Sequence, residues 1–238
     1  MKHLKFVPLL ALALFFGACS SNAGKDNTLT SEEKKEGWKL LFDGETLDGW
    51  HLYNQKDKPS VWVVKEGALV CSPETNLEHG DLVTDHKYEN YELKFDWKLV
   101  KEGNSGVFIN VQEDKKYPTA WTTGPEYQLL ESSHHDYAIE TKRAGCLYGF
   151  SPQLNKADLK PLEEWNNAMI RQQNGKIEFY LNGKLTAQQD MTGNEWKDKI
   201  AETNFKNFPD FGKELKGQIA LQDWNKGVSF KNIKIKEL

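Results

Sequence analysis

The sequence predicts an all-β protein built as an antiparallel sandwich, with one or two short helices on its surface. From Tyr91 to Leu99, apolar and charged residues alternate strictly, which gives a strand one buried face and one solvent face. Turn-forming pairs such as Glu66-Gly67 and Asn182-Gly183 separate short segments of this kind. Many short strands joined by polar turns, with few helical periods, are typical of two packed antiparallel sheets.

The other elements follow from the same reasoning along the chain. Alternation predicts further strands at 107–111, 177–181 and 219–221. Near the C-terminus the apolar phase changes between Phe230 and Ile233, so we predict a β-bulge there. From Asn194 to Thr203 the spacing is helical instead, because Trp196 and Ile200 lie four residues apart.

Composition excludes two classes of protein. The chain is 38% hydrophobic and 28% charged, so it can bury a core and is not disordered throughout. Its net charge is −4, and Arg143 and Arg171 are its only arginines, so nucleic acid is not an expected partner. No repeat or linker follows residue 37, and we predict one domain over residues 37–238. The sequence does not specify an oligomeric state.

The N-terminus has the features of an export signal. Lys2 and Lys5 precede the apolar run Phe6–Phe16, which is shorter than the ~20 residues that span a bilayer. Small residues before Cys19 resemble bacterial lipoprotein signals. We therefore expect a signal peptide over residues 1–18, a lipid on Cys19, and a tether over residues 19–36. The mature protein would be anchored in the cell envelope, at the periplasm or outer membrane; ordinary secretion is the alternative.

The two remaining cysteines leave two possibilities open. In an oxidising compartment Cys71 and Cys146 can form a disulfide or remain as buried thiols, and sequence does not supply the geometry that decides. The chain has no CxxC motif and no His/Cys cluster, so no structural zinc site is predicted.

Several segments, in one order, resemble a known family. They are GWKLLFDG at 37–44, TLDGW at 46–50, DLVTD at 81–85, YENYEL at 88–93, GNSGVFI at 103–109, GPEYQLLE at 124–131, LYG at 147–149, WN at 165–166, LNG at 181–183, QIALQD at 218–223 and FKNI at 230–233. This pattern is similar to the 3-keto-disaccharide hydrolase domain. Glu131 stands where that family usually has Asp, and Trp224 stands where it usually has His.

The resemblance implies a concanavalin-like jelly roll of the lectin and glucanase type that acts on glycosides carrying a ketone at C3. In such a fold, polar side chains on the outward face of one sheet are the candidates for chemistry. Glu126 and Gln128 share a face, opposite Tyr127 and Leu129, and Glu126 is the first candidate for a catalytic acid or base. Glu131 joins it only if the strand ends or bulges first.

Further candidates surround this strand. His134 follows it in a loop and is a candidate acid or base, and its neighbour His135 is a candidate for binding substrate. The aromatic rings of Trp121 and Trp224 suit stacking on a sugar, although either can instead belong to the core. The other candidates for substrate binding are polar: Asn104, Gln128, Tyr148 and Gln222.

A ketone at C3 acidifies the proton at C2, so a carboxylate can remove it and the resulting enolate can expel the C1 substituent before water adds back. We therefore expect a 3-keto-glycoside hydrolase with a carbohydrate substrate and no required cofactor. A divalent ion held by Glu126, Glu131 and His134 stays open. The alternatives are a non-catalytic carbohydrate-binding lipoprotein and a conventional glycosidase with two carboxylates.

Overall fold

The computed structural model describes residues 25–56, 58–72, 76–224 and 226–238, and shows the predicted all-β antiparallel sandwich. The predicted signal peptide and Cys19 lie outside these residues. The strands of the described residues are β1 (Lys39–Leu40), β2 (Trp50–Leu52), β3 (Trp62–Lys65), β4 (Ala68–Cys71), β5 (Leu82–Thr84), β6 (Tyr91–Leu99), β7 (Asn104–Val111), β8 (Glu126–Leu130), β9 (Asn166–Gln173), β10 (Lys176–Leu181), β11 (Lys184–Asp190), β12 (Gln218–Leu221) and β13 (Val228–Glu237).

The strands form two sheets. The larger has the order β11-β10-β9-β6-β13-β4-β3, with β1 also paired to β13, and the smaller, the five-stranded sheet, has the order β2-β5-β12-β7-β8. All neighbouring strands in both sheets are antiparallel. The five-stranded sheet therefore brings β5, β7, β8 and β12 side by side, although they come from distant parts of the chain.

The core lies between the two sheets and begins with β6. Every second residue of β6 from Tyr91 to Leu99 is buried and those between are half-buried, which confirms the predicted phase. The Phe95 ring packs edge-on against Tyr127 of the five-stranded sheet, with ring centroids 5.7 Å apart. It also contacts Phe230 of β13 at 6.1 Å. Aromatic packing of this kind joins the two sheets.

The predicted bulge is present and anchors the N-terminal segment. The register of β13 against β6 shifts between Lys231 and Lys234, and Asn232 adopts a φ of 54°. A bulge leaves backbone groups without ladder partners. Asn27 supplies partners here. Its backbone amide donates to Asn232 Oδ1 (2.6 Å), and its side-chain Oδ1 accepts the Asn232 backbone amide (2.8 Å). The expected tether over residues 19–36 is therefore docked from Asn27 onward.

Two α-helices lie among the described residues. The first, α1 (Ser31–Lys35), lies within the expected tether, and Thr30 and Glu33 form a capping box at its start. The second, α2 (Asn194–Ala201), confirms the predicted surface helix but ends two residues earlier. Its Trp196 is buried and donates from Nε1 to the Gly212 carbonyl (2.9 Å). No helix of the described residues is long and apolar enough to cross a bilayer.

Cys71 and Cys146 are both buried and are not joined by a disulfide. The Cys71 thiol donates to Asp223 Oδ1 (3.2 Å), and the Cys146 thiol donates to the Glu140 carbonyl (3.4 Å). Burial raises the pKa of Cys146 to about 12 and also raises the pKa of Cys71, so both groups remain protonated near neutral pH.

Candidate functional site

One face of the five-stranded sheet packs against the core. The opposite face, which we call the outer face, carries polar side chains. On β8, Tyr127 and Leu129 belong to the core, and Glu126 and Gln128 alternate with them onto the outer face. The apolar part of the outer face is a small separate cluster made of Tyr53, Val83, Phe108, Val111, Ala120 and Ala220. The predicted division of β8 into two faces is therefore confirmed.

Glu126 lies close to the backbone of the neighbouring strand. Its side chain fills the space above Gly106, and a Cβ placed on that glycine would lie 2.0 Å from Glu126 Oε1. The residue is only 8% exposed. Burial raises the pKa of the Glu126 carboxyl well above its ordinary value, and the nearby charge of Asp81 raises it further. Burial therefore favours the protonated form of Glu126, which can donate a hydrogen bond.

Asp81 is the second carboxyl of the outer face. It comes just before β5, in phase with the outward Val83, and its Oδ1 accepts the backbone amide of Asp223 (3.1 Å). Burial raises the pKa of Asp81 to about 7; the charge of Asp223 adds to this, and backbone hydrogen bonds from Asp223 and Ala120 oppose it. Asp81 thus exchanges its proton near neutral pH, as a general acid or base requires.

A cavity of about 350 Å³ opens beside Asp81. Its walls include two tryptophans, Trp121 and Trp224, which are 36% and 48% exposed, whereas the tryptophans of the core are buried. Trp121 is held edge-on against Phe208, with centroids 4.6 Å apart. Exposed indole faces beside polar groups are suited to stacking on sugar rings.

Two glutamine side chains of the outer face carry unused acceptors. Gln128 Oε1 and Gln222 Oε1 are buried, and neither has a hydrogen-bond partner in the described part of the chain. Gln128 Nε2 donates to Asn104 Oδ1 (3.3 Å), which fixes that side chain. The Gln222 backbone amide donates to the Gly106 carbonyl (2.9 Å), which fixes its main chain. Buried acceptors without partners are uncommon. Gln222 lines the cavity beside Asp81, where a sugar hydroxyl would satisfy its oxygen, whereas Gln128 does not line that cavity.

The loop after β8 borders the opposite side of Glu126. The Tyr148 amide donates to the Glu126 carbonyl (3.1 Å), and burial raises the pKa of the Tyr148 hydroxyl. Lys142 pairs with Asp136 (3.0 Å) and lies 5.8 Å from the centre of the Tyr148 ring. Tyr148 therefore lies next to Glu126, in a position consistent with its predicted role in binding substrate.

His134 and His135 stack on each other, with ring centroids 4.2 Å apart, and together with Asp136 offer ligand atoms within 4.8 Å of one another. These atoms already have other contacts, because His134 Nδ1 accepts the Asp136 amide (3.1 Å) and Asp136 pairs with Lys142. The cluster therefore supports no metal assignment. His135 is largely exposed.

Glu131 does not join Glu126. Its carboxylate accepts the amides of Glu102 (2.8 Å) and Ser133 (3.1 Å), and it lines a different cavity, of about 430 Å³, together with Trp97 and Leu99. Burial acts to raise its pKa, but the hydrogen bond from the Ser133 hydroxyl, followed by that from the Glu102 amide, lowers it below the ordinary value. β8 ends at Leu130, but the Glu131 amide still donates to the Gly103 carbonyl (3.0 Å) and no bulge precedes it, so Glu131 stays on the Tyr127 side.

The comparisons with known proteins agree with one another. A family model described as a 3-keto-alpha-glucoside-1,2-lyase-like domain matches residues 37–236. A curated relative, a 3-keto-disaccharide hydrolase of Bacteroides thetaiotaomicron, is 28% identical over 246 aligned positions, which cover 92% of this chain and 84% of that protein.

Two solved structures from Parabacteroides distasonis ATCC 8503, both provisionally described as glycosyl hydrolases, are also similar. One superimposes with a TM-score of 0.82 at 35% identity, and covers 90% of this chain and 100% of that chain. The other has a TM-score of 0.68 at 26% identity, and covers 84% of this chain and 99% of that chain.

Proposed function

Because the chain belongs to the 3-keto-alpha-glucoside-1,2-lyase-like domain family, we propose that it cleaves glycosides whose C3 hydroxyl has been oxidised to a ketone. It is a hydrolase of the glycosidase type. The observation that carries the proposal is the carboxyl pair Asp81 and Glu126, which shares the outer face with a cavity flanked by two exposed tryptophans.

The pair supports different roles for its two members. Asp81, with a pKa of about 7, is ionised in a large fraction of molecules at neutral pH and is suited to remove the acidified proton at C2. Glu126, whose protonated form burial favours, is suited to donate a hydrogen bond to the C3 oxygen as negative charge develops there. The base role that the sequence predicted for Glu126 thus passes to Asp81 in this proposal.

The reaction then proceeds in two stages. Removal of the C2 proton by Asp81 gives an enolate, which expels the C1 oxygen and leaves a C1=C2 double bond conjugated with the ketone. The Asp81 carboxyl then exchanges its proton with solvent. Addition of water puts a hydroxyl on C1, and Asp81 delivers a solvent-derived proton to C2. The net change is hydrolysis, although the bond to C1 breaks by elimination. A sugar hydroxyl would bind the free oxygen of Gln222, which lines the cavity.

A comparison of two substrates tests the function. Only a C3 ketone makes the C2 proton acidic enough for a carboxylate to remove, so 3-keto-trehalose should be cleaved and trehalose left essentially untouched. Equal turnover of both sugars would show a conventional glycosidase. Binding of either sugar without turnover of any keto-sugar would show a carbohydrate-binding protein instead.

Gly106→Ala is expected to impair this chemistry without unfolding the protein. The added methyl group would overlap Glu126 Oε1 and force the carboxyl out of position, and a displacement of about 1 Å can cost roughly 10²-fold in rate. Steady-state kinetics on 3-keto-trehalose would measure the loss. Gly193→Ala is the matched control, because the nearest atom to its Cβ lies 4.0 Å away. Unchanged kinetics in Gly106→Ala would contradict the placement of Glu126.

We also propose that the mature chain is anchored in the cell envelope through a lipid on Cys19, which follows the apolar run of the N-terminus. Mass spectrometry of the protein purified from membranes should find a diacylglyceryl-modified Cys19 at the N-terminus. An unmodified N-terminus at Ser20 or beyond would contradict the anchor.

A further inference from the structure

We propose that His79 is a catalytic residue of the same cavity. Its imidazole protonates the C1 oxygen as that oxygen departs, while Asp81 removes and replaces the proton at C2. This inference rests on the proposed function and adds the group that protonates the leaving sugar. Three observations carry it: the contact that orients the ring, the link from that contact to Asp81, and a second ring nitrogen that has no partner among the described residues.

A buried carboxylate fixes the His79 ring. Asp223 Oδ2 lies 2.8 Å from His79 Nδ1, and the Asp223 side chain is only 8% exposed. The same Oδ2 accepts the Gly80 amide (3.0 Å), and Oδ1 accepts the Cys71 thiol (3.2 Å). The carboxylate is therefore held from three sides and provides a counterion for the imidazolium form of His79.

Asp223 also connects His79 to the proposed base. Its backbone amide donates to Asp81 Oδ1 (3.1 Å), so the residue whose side chain orients His79 also binds Asp81 through its main chain. Both His79 and Asp81 line the cavity of about 350 Å³. The imidazole and the carboxylate are thus positioned by one residue at one cavity.

The second ring nitrogen of His79 is available for chemistry. The side chain is 51% exposed, and no described residue contacts Nε2 at hydrogen-bond distance. His51 shows the contrasting, structural arrangement: its side chain is buried, Nδ1 binds Asp85 (2.6 Å) and Nε2 binds Glu113 (2.8 Å). His51 thus uses both ring nitrogens, whereas His79 lines the cavity and has no described partner for Nε2.

His79 acts first as an acid and then as a base. As the C1–O bond breaks, the proton on Nε2 passes to the departing sugar oxygen, and His79 becomes neutral. Neutral Nε2 then takes a proton from the water molecule whose oxygen bonds to C1. Asp81 meanwhile returns its proton to C2, so both groups regain their starting states and one water molecule is consumed.

Leaving-group dependence tests this role. His79→Gln should lower kcat/KM for 3-keto-trehalose by roughly 10²-fold or more, because a sugar alkoxide leaves poorly without a proton. For 4-nitrophenyl 3-keto-glucoside, whose phenolate leaves unaided, kcat/KM measured from nitrophenolate release, a step that precedes hydration, should stay within about threefold of the wild type in the same variant. Asp81→Asn should lose both activities, since each substrate needs the C2 base. His86→Gln, an exposed histidine outside the cavity, is the matched control.

Each outcome of these measurements supports or overturns the role of His79. Equal losses on both substrates in His79→Gln would mean that the ring only supports the structure, and wild-type rates on both would mean that it is not needed; either result overturns the inference and leaves the proposed function standing. A wild-type protein inactive on both keto-glycosides would overturn the proposed function, and this inference with it.

Discussion

Asp81→Asn is expected to lower kcat/KM for 3-keto-trehalose by roughly 10²- to 10⁴-fold, because the substitution keeps the shape of the side chain and removes the base. In the wild type, kcat/KM should rise with pH up to about 7, since the raised pKa of Asp81 means that its base form accumulates only there. Kinetics across pH 5–9 would measure both effects. The rising limb should disappear in the variant.

Variants of Glu126 separate a proton donor from a base. Glu126→Gln retains a group that can donate a hydrogen bond and should lose less activity than Asp81→Asn. Glu126→Met has a similar volume but no donor, and should lose roughly 10²- to 10³-fold, as when one donor to an oxyanion is removed. Loss in Glu126→Gln as deep as that in Asp81→Asn would return the base role to Glu126, and full activity in Glu126→Met would remove it from the mechanism.

Phe95→Ala is expected to reduce the free energy of unfolding by about 3–5 kcal/mol. The ring is 1% exposed and packs against Tyr127 and Phe230, so truncation leaves a cavity between the two sheets. Chemical denaturation monitored by tryptophan fluorescence would measure the change in midpoint and slope.

Lys98→Ala, on the other face of the same strand, is the control for Phe95→Ala. Its ammonium lies 5.0 Å from the centre of the Trp165 ring at the surface, and losing that contact should cost about 0.5–1 kcal/mol. Similar small effects at both positions would contradict the assignment of Phe95 to the core.

The strands and their faces were predictable from sequence because alternation is local. The phase of Tyr91–Leu99, the bulge after Phe230 and the opposition of Glu126 to Tyr127 each depend on a few adjacent residues. The docking of Asn27 on the bulge was not predictable, since it joins residues 205 positions apart in the chain. Only the folded protein shows which unpaired backbone amide the N-terminal segment satisfies.

The site was predictable only in part, and for a related reason. Glu126, Gln128 and Gln222 could be placed on the outer face from alternation alone. The order of the strands in the sheet, however, depends on pairing between distant segments and cannot be predicted from any one of them. The order β5-β12-β7-β8 places Asp81 and Glu126 on the same face with two strands between them, and Asp223 contacts Gly80 and His79 at the cavity beside Asp81. The one available signal for Asp81 was its phase with Val83, directly before a strand.

Hydrogen exchange at C2 tests most directly whether Asp81 and its neighbours cleave a keto-sugar by elimination. 3-Keto-trehalose would be cleaved in deuterated water, and early product would be analysed by NMR, with enzyme-free substrate and product incubated alongside to measure spontaneous exchange. Removal of the C2 proton, its exchange with solvent on Asp81 and delivery of a deuteron to C2 predict one solvent deuterium at C2 of the released 3-keto-glucose, formed at the rate of cleavage. Cleavage at full rate with hydrogen retained at C2 would show direct displacement at C1 and contradict the proposed chemistry.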